Sequence, residues 1–207
     1  SWFIFDYNFD NKKANFRRPA FVWNFLYKQI SSINTVLADY FPTAPDTNTE
    51  QEVYQKYGEL KTMRAIFYYY LVNTFAKTYV GNQGSLGVPL MLNPGDDKLP
   101  RATVQQVYDQ MIADLAVVDD ARFQITPDNK ADADKAVGAA YLAKIYACQG
   151  NWPEVQHYAL IATEGPTPSL TSSADVQAGK WDISMNSWLW GFDIIQETRT
   201  YRNSFYA

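Results

Sequence analysis

The side chains that most often perform catalysis are few and scattered in this sequence. One histidine, His157, and one cysteine, Cys148, lie in helical segments without a further partner at a recognisable spacing. Paired carboxylates such as Asp119/Asp120 are adjacent in the chain, whereas a glycosidase needs two carboxylates that face each other across the substrate. The sequence has no metal-ligand cluster, phosphate loop or nucleophile elbow. We therefore predict a protein that is not an enzyme and that needs no metal and no cofactor.

Aromatic side chains interleaved with planar polar ones are the stronger chemical signal. The opening stretch, SWFIFDYNFDNKKANFRR, alternates rings with Asp, Asn and Arg. Sugars present apolar C–H faces and a rim of hydroxyls, so their binding sites combine aromatic plates with hydrogen-bonding side chains. The candidates are Trp2 and Tyr7 as stacking plates, with Asn8 and Arg17 as partners for hydroxyls. The other interpretation of this stretch is an extended segment or strand that covers the core.

A second aromatic cluster lies near the end of the chain, in KWDISMNSWLWGF. Trp181, Trp188 and Trp190 lie outside the predicted helical stripes and are candidate plates for a ligand. We select Trp181 as a second stacking plate for a carbohydrate. Core packing of these rings is the alternative.

Composition and charge exclude other kinds of partner. The chain has 15 Tyr, 12 Phe and 6 Trp, together 16% of its residues, and a formal net charge of −4. Its Lys and Arg residues form no cluster longer than a pair, so nucleic acid is not an expected partner. No apolar run reaches the roughly 18 residues of a membrane-spanning helix. A single cysteine excludes an internal disulfide framework.

Helices must position most of these side chains. Along residues 20–40, apolar residues recur at every third or fourth position, which predicts one helix with a single buried stripe. Two later helix starts are predicted by capping boxes, in which a Thr hydroxyl and a Glu or Gln side chain each satisfy a backbone N–H. These boxes are Thr49 with Glu52 and Thr103 with Gln106.

The stretch RAIFYYYLVNTF places three consecutive tyrosines in a helical pattern. The predicted helix has an apolar stripe that runs through Val53, Tyr57, Leu60, Arg64, Phe67, Leu71 and Phe75. Tyr68 and Tyr70 flank this stripe, while Tyr69 points to the far side, where the neighbouring residues are also small or apolar. A helix that is apolar on two sides is buried on two sides. We therefore predict that the tyrosines pack between helical layers rather than face a ligand.

The stretch AAYLAKIYACQGNWPEVQHYALIATEGP has the spacing of a tetratricopeptide repeat, a pair of antiparallel helices with small residues where they touch. Gly150 stands at the predicted turn. One such repeat cannot bury its own apolar face, so other helix pairs must stack on it. The predicted fold is all-α, a tetratricopeptide-like right-handed helical superhelix with long irregular loops and at most a small hairpin.

Four segments in order resemble the SusD/RagB family of nutrient-binding lipoproteins of the Bacteroidetes outer membrane. VWNFLYKQISSINTVL is similar to the first helix of the family, and LKTMRAIFYYYLVNTF with the following GVPL is similar to its long aromatic helix and turn. LPRATVQQVYDQMIADL resembles the most recognisable segment, and AVGAAYLAKIYACQGNWPEVQHYA closes the series. Together the four segments span about residues 20–165.

The resemblance implies one SusD-like domain fragment over residues 1–207, with an N-terminal segment that helps to line a glycan site. Its expected parts are an extended ligand-side segment (1–19), a first helix pair (20–77), a loop (78–102), tetratricopeptide-like helices (103–165) and an irregular aromatic-rich segment (166–207). The stretch AKTYVGNQGSL lengthens the connection before Gly87, so contacts there are expected to be specific to this protein.

The resemblance further implies a cell-surface subunit that binds an oligosaccharide or other nutrient and passes it to a TonB-dependent, SusC-like outer-membrane transporter. Family members carry a lipid on an N-terminal cysteine. Cys148 lies inside a predicted helix, so we expect the anchor cysteine of the full-length protein to lie outside this chain. The alternative function is a tetratricopeptide scaffold that binds a protein or peptide partner.

Overall fold

The computed structural model describes residues 17–126, 129–164, 171–179, 185 and 187–191. Helices dominate this part of the chain, and one small antiparallel sheet interrupts them. In chain order the elements are α1 (Arg17–Tyr40), α2 (Gln51–Phe75), β1 (Leu86–Pro89), β2 (Arg101–Thr103), α3 (Val104–Leu115), a 3-10 turn (Ala116–Asp119), α4 (Lys135–Gln149), α5 (Trp152–Ala162) and α6 (Ser173–Gln177). None of the helices described here is long and apolar enough to cross a membrane.

Helix α1 has the single buried stripe that its periodicity predicts. Its buried apolar residues are spaced by three or four positions, and Trp23 is half-buried at the N-terminal end of the stripe. The buried members are Leu26, Tyr27, Ile30, Ile33 and Leu37. The opposite side of α1 is exposed, so this helix forms an outer layer of the fold.

Helix α2 is the central element, because it contacts α1, α3 and α4 as well as β1. Tyr68 is fully buried, and Tyr69 is half-buried with its ring edge-on to Tyr141 of α4, at 5.6 Å between centroids. Tyr70 is 48% exposed, and its hydroxyl lies 2.9 Å from that of Tyr141. The prediction that these tyrosines pack between helical layers is thus confirmed for Tyr68 and Tyr69, whereas Tyr70 lies at the rim.

The turn-rich connection after α2 forms the small hairpin that the sequence allowed. β1 pairs with β2 in antiparallel register, with Leu86 opposite Thr103. Hydroxyl groups of the first two helices donate hydrogen bonds to the end of β1 and to the residues just after it. Tyr27 donates to the carbonyl of Pro89 (2.8 Å), and Tyr68 donates to the carbonyl of Met91 (2.7 Å). These rings fill the core while their polar tips satisfy buried backbone groups.

The two predicted capping boxes have different outcomes. At α3 the box is confirmed, because the Thr103 hydroxyl accepts from Gln106 N and the Gln106 side chain accepts from Thr103 N. The box at Thr49 is wrong: Glu50 is the N-cap of α2, and no side chain caps it. The Thr49 hydroxyl instead donates to Asp46 Oδ1 at 3.1 Å. A local turn therefore takes the side chain that would otherwise cap the helix.

Helices α4 and α5 form the predicted tetratricopeptide-like pair. Gly150 ends α4 with φ of 76°, a left-handed conformation that glycine adopts without steric cost, and α5 begins two residues later. So short a connection makes the two helices antiparallel neighbours, and they pack closely against each other. The prediction of an all-α, tetratricopeptide-like fold is confirmed.

A buried polar cluster joins α1, α2 and α3. Asp114 of α3 is fully buried and accepts two hydrogen bonds from the Arg64 guanidinium, at 2.7 Å from Nε and 2.6 Å from Nη2. Lys61 Nζ also donates to Asp114. The third Arg64 nitrogen donates to Asn34 of α1 at 2.9 Å. Burial disfavours the Arg64 cation, but the hydrogen bonds and charge of Asp114 outweigh this and raise the Arg64 pKa above its usual value.

Candidate functional site

The predicted carbohydrate-contacting residues fall almost entirely outside the described part of the chain. Trp2, Tyr7, Asn8 and Trp181 lie outside the described residues. Arg17 is the first residue of α1, and its side chain also lies outside them. Their roles therefore remain predictions, and the site is built here from the described residues that follow Arg17.

The first turns of α1 present an exposed aromatic pair. Phe21 is 67% exposed and Phe25 is 48% exposed, and their rings stack with centroids 6.1 Å apart. The two residues are four positions apart, so they lie on the same face of the helix. Exposed large apolar side chains that lie together often mark a binding surface, in contrast to single ones.

Trp23 connects this end of α1 to the last residue of α2. Its ring packs against Tyr27 at 4.8 Å and, edge-on, against Phe75 at 5.0 Å. Phe75 is half-buried, so one side of the ring remains accessible. We call this group, Phe21, Trp23, Phe25 and Phe75, the aromatic end.

A cleft of about 510 Å³ lies beside the aromatic end, between the end of α2 and the loop that leads to β1. Phe75 forms an aromatic wall, while Lys77, Ser85 and Arg101 contribute polar groups. The remaining lining residues are Ala76, Gly84 and Leu86. An aromatic ring next to hydroxyl and cationic donors is the combination that a sugar requires.

The loop between α2 and β1 packs against and hydrogen-bonds to the start of α3. The ring of Tyr79 packs on that of Tyr108 at 4.7 Å, and its hydroxyl donates to Gln105 Oε1. Backbone N–H groups of Val104 and Gln105 donate to the carbonyls of Ser85 and Gln83, both at 2.9 Å. This is the lengthened connection of the sequence analysis, and its anchoring gives the cleft a fixed wall.

Arg101 closes the cleft at the hairpin. Its Nε donates to Gly87 O at 2.5 Å, and its Nη2 donates to Phe75 O at 3.0 Å and Leu86 O at 3.2 Å. The Phe75 carbonyl belongs to the last turn of α2, where backbone acceptors have no partner within the helix. Arg101 therefore joins the helix end to the hairpin.

Trp190, from the aromatic cluster near the end of the chain, packs against a turn. Trp190 donates from Nε1 to Ala131 O at 3.1 Å, and Gly191 N donates to Lys130 O at 2.9 Å. Trp188 is half-buried. For Trp190 the core-packing alternative is therefore correct, because its polar tip binds the protein backbone.

The side chains capable of catalysis do not converge. Cys148 lies beside the hydroxyls of Tyr69 and Tyr108, and His157 is exposed on α5 with its ring edge-on to Tyr158 at 4.8 Å. Burial, and next the charge of Asp119, raise the pKa of Tyr158 above its usual value, which keeps this hydroxyl protonated. Among the described residues, no group of three His, Cys, Asp or Glu side chains could bind a metal ion.

A second concavity lies on another face, between α1, α2 and the turn before α4. It has a volume of about 480 Å³ and an apolar floor that includes Ile33, Leu60, Met63 and Phe67. Lys56, Glu59 and Asp132 contribute charged groups to its lining. A groove of this kind suits the apolar face of a peptide better than a sugar.

Sequence reasoning missed the cleft because its lining comes from three separate segments. Phe75 was assigned to the stripe of α2, and Arg101 was used only as part of the Pro-Arg-Ala-Thr segment. The signal that could have identified it is the lengthened connection, which carries Lys77 and Gly84 next to an aromatic helix end.

Stacked antiparallel helices define the class of protein: an all-α protein of the tetratricopeptide-like type. A family profile named SusD-like, described as starch-binding and associating with the outer membrane, matches residues 3–147. This match covers more than half of the chain, so the chain belongs to the SusD-like family, which binds carbohydrate and associates with the outer membrane. No curated protein matches the chain.

Solved structures have the same fold. A SusD-like carbohydrate-binding protein from Bacteroides vulgatus superposes with a TM-score of 0.74 at 18% identity, covering 86% of this chain and 37% of its own. A SusD superfamily protein from Bacteroides thetaiotaomicron gives 0.65 at 23%, covering 74% and 34%. A laminarin-binding SusD-like protein gives 0.54 at 24%, covering 73% and 31%. The chain thus spans about a third of the length of these structures.

Proposed function

We propose that this chain is part of a cell-surface subunit that binds a glycan for uptake across the outer membrane. The observation that carries the proposal is the exposed pair Phe21 and Phe25 of the aromatic end. The pair lies in the first turns of α1, directly after the aromatic opening stretch in the sequence. The chain also belongs to a carbohydrate-binding family. Binding is by stacking on rings and by hydrogen bonds to hydroxyls. No bond in the glycan is cleaved, and the subunit needs no cofactor.

The contact residues of this proposal are Trp2 and Tyr7 as plates, Asn8 and Arg17 as hydroxyl partners, and Trp181 as a second plate. Residues 1–19 serve as the ligand-side segment, followed by the helix pair and loop. Arg17 begins α1, and Phe21 and Phe25 follow it by about one and two helical turns. The described aromatic end then extends the same sugar-binding surface.

The partner that receives the glycan is a TonB-dependent, SusC-like transporter of the outer membrane. In this proposal the complete protein is surface-exposed and lipid-anchored. Family membership and the description of the family as associating with the outer membrane support both statements.

Calorimetric binding to a panel of polysaccharides tests the proposal, with wild-type chain and the variants Trp2→Ala and Trp181→Ala. Removal of one ring should weaken the binding free energy by roughly 0.5–1.5 kcal/mol, in addition to the free energy lost with the ring's buried area. Trp152→Ala is the matched control, because Trp152 is 66% exposed on α5 and outside the proposed site. If Trp2→Ala and Trp181→Ala lower the melting temperature but leave binding unchanged, these rings belong to the core and the site is wrong.

One observation favours a second candidate, a scaffold for a protein or peptide partner. The apolar groove between α1 and α2 could take the apolar face of a helix. Met63→Glu would place a charge on its floor and abolish such binding. The same change should leave glycan binding intact, so the two functions can be separated.

A further inference from the structure

We infer that the cleft beside the aromatic end binds a sugar residue that carries an anionic group, either a carboxylate or a sulfate ester. The inference rests on the proposed glycan-binding function and deepens it, since it names the class of glycan. The candidate ligands are therefore uronic-acid or sulfated oligosaccharides rather than neutral ones.

Among the residues that the structure describes, two cations of the cleft have no acidic partner. In the part of the chain that the structure describes, ion pairs involve Lys56, Lys61, Arg64, Lys98 and Arg122. Lys77 and Arg101 take part in none of them, although both line the same cleft. In a chain with a net charge of −4, two cations left together without a carboxylate favour an anionic ligand.

Arg101 stabilises the C-terminal end of α2, but this role does not use all of its hydrogen-bond donors. Arg101 donates to three neutral carbonyls, and cations near a helix C-terminus interact favourably with the helix dipole. These bonds use Nε and Nη2 only, so the N–H groups of Nη1 remain for a ligand. The two N–H groups of Nη1 can donate charge-assisted hydrogen bonds to the oxygens of a carboxylate or sulfate. Lys77 is exposed and can supply a second charge from the opposite segment.

The other side chains of the cleft suit the sugar itself. Phe75 offers a ring face for the apolar side of a pyranose, and Ser85 offers a hydroxyl. A volume of about 510 Å³ lies within the range of small-molecule sites. The anchored loop is already in place before binding, which reduces the entropy lost when the ligand binds.

The test is calorimetry on the full chain with three probes: an oligogalacturonide, a sulfated galactan oligosaccharide and a neutral maltooligosaccharide. Lys77→Gln removes one charge and should weaken binding of the anionic probes about two- to five-fold. Gly84→Tyr should place a ring in the cleft and weaken binding of the anionic probes at least about ten-fold, because Gly84 lines the cleft. An added Cβ at Gly84 meets no atom within 4 Å, so the fold should tolerate this change. Raising salt from about 50 mM to about 500 mM should weaken only the anionic probes.

Lys28→Gln is the matched control, since it removes the same charge from an exposed side chain of α1 that does not line the cleft. Melting temperatures show that each variant is folded, and Lys77→Gln remains informative if Gly84→Tyr does not fold. Equal binding of neutral and anionic probes would overturn this inference and leave the proposed function intact. Unchanged anionic binding in both folded variants would also overturn it. Failure of every saccharide to bind would contradict the proposed function itself.

Discussion

At the scale of single residues, the buried cluster around Asp114 shows how charge is tolerated inside the fold. Both oxygens of Asp114 accept from Arg64, and Oδ1 also accepts from Gln110 at 3.0 Å. Asn34 bridges Arg64 and the backbone, because its amide donates to Met91 O at 2.9 Å. A charge removed from water is stable only when its partners are all present. The cluster therefore specifies how α1, α2 and α3 pack together.

The first prediction concerns Asp114→Asn, which keeps the shape of the side chain and removes its charge. The Arg64 cation, buried at 6% exposure, would lose its counter-ion next to Lys61. We expect the free energy of unfolding to fall by about 3–5 kcal/mol, measured by urea denaturation at neutral pH.

Glu59→Gln is the control for this experiment. Glu59 pairs with the mostly exposed Lys56 within α2, so its loss should cost only about 0–0.5 kcal/mol. A cost below about 1 kcal/mol for Asp114→Asn would mean that the cluster contributes little beyond a surface ion pair.

At the scale of elements, helix starts show where local signals succeed and fail. Thr103 and Thr49 have the same sequence pattern, but only Thr103 caps a helix. The difference arises before Thr49, where Asp46 accepts from both Asn48 N and the Thr49 hydroxyl. These bonds lower the Asp46 pKa, the backbone bond from Asn48 most of all. A local turn has thus replaced the cap.

The second prediction compares Thr103→Ala with Thr49→Ala. Loss of the Thr103 hydroxyl leaves the N–H of Gln106 without its acceptor and should cost about 0.5–2 kcal/mol of stability. Thr49→Ala removes only an exposed bond in a turn and should stay within about 0.5 kcal/mol of wild type. The free energy of unfolding of both variants is measured by denaturant titration. Equal losses of stability would mean that Thr49 also caps its helix, as the sequence predicted.

At the scale of the whole molecule, buried tyrosines dominate the response to high pH. Burial, with further causes that differ between residues, raises the pKa of Tyr27, Tyr68, Tyr108, Tyr141 and Tyr158 well above the usual value. Burial, with the charge of Asp120 next, raises the pKa of Tyr54 to about 12. The folded protein therefore keeps protons that the unfolded chain loses near pH 10.

The third prediction follows from the sign of these shifts. Their contribution to stability is complete below about pH 10 and is lost as pH rises through 10 towards the folded-state pKa values. Phenolate absorbance should rise in two stages, with the exposed tyrosines first and the buried ones together with unfolding. The chain in guanidinium chloride should titrate in one stage near pH 10. A single reversible stage for the native protein, without unfolding, would contradict the prediction.

The sequence by itself determined the features that depend on residues close in the chain. The stripe of α1, the cap at Thr103 and the left-handed turn at Gly150 need only periodicity and local hydrogen bonding. The ordered series of family segments also predicted the all-α fold and the family correctly. The carbohydrate contacts at Trp2, Tyr7, Asn8, Arg17 and Trp181 remain sequence-based predictions.

Only the tertiary structure decided which distant groups meet. The stripe expected along α2 begins at Val53, yet Val53 is 43% exposed, and the buried part of the helix begins with Tyr54. Arg64 was placed on an apolar stripe, and its partner Asp114 lies fifty positions away. The cleft likewise joins Phe75, Lys77 and Arg101 through the hairpin. Contacts between residues so far apart in the chain depend on how the helices stack. The periodicity of one helix shows which of its faces is buried, but not which residue of another helix packs against that face.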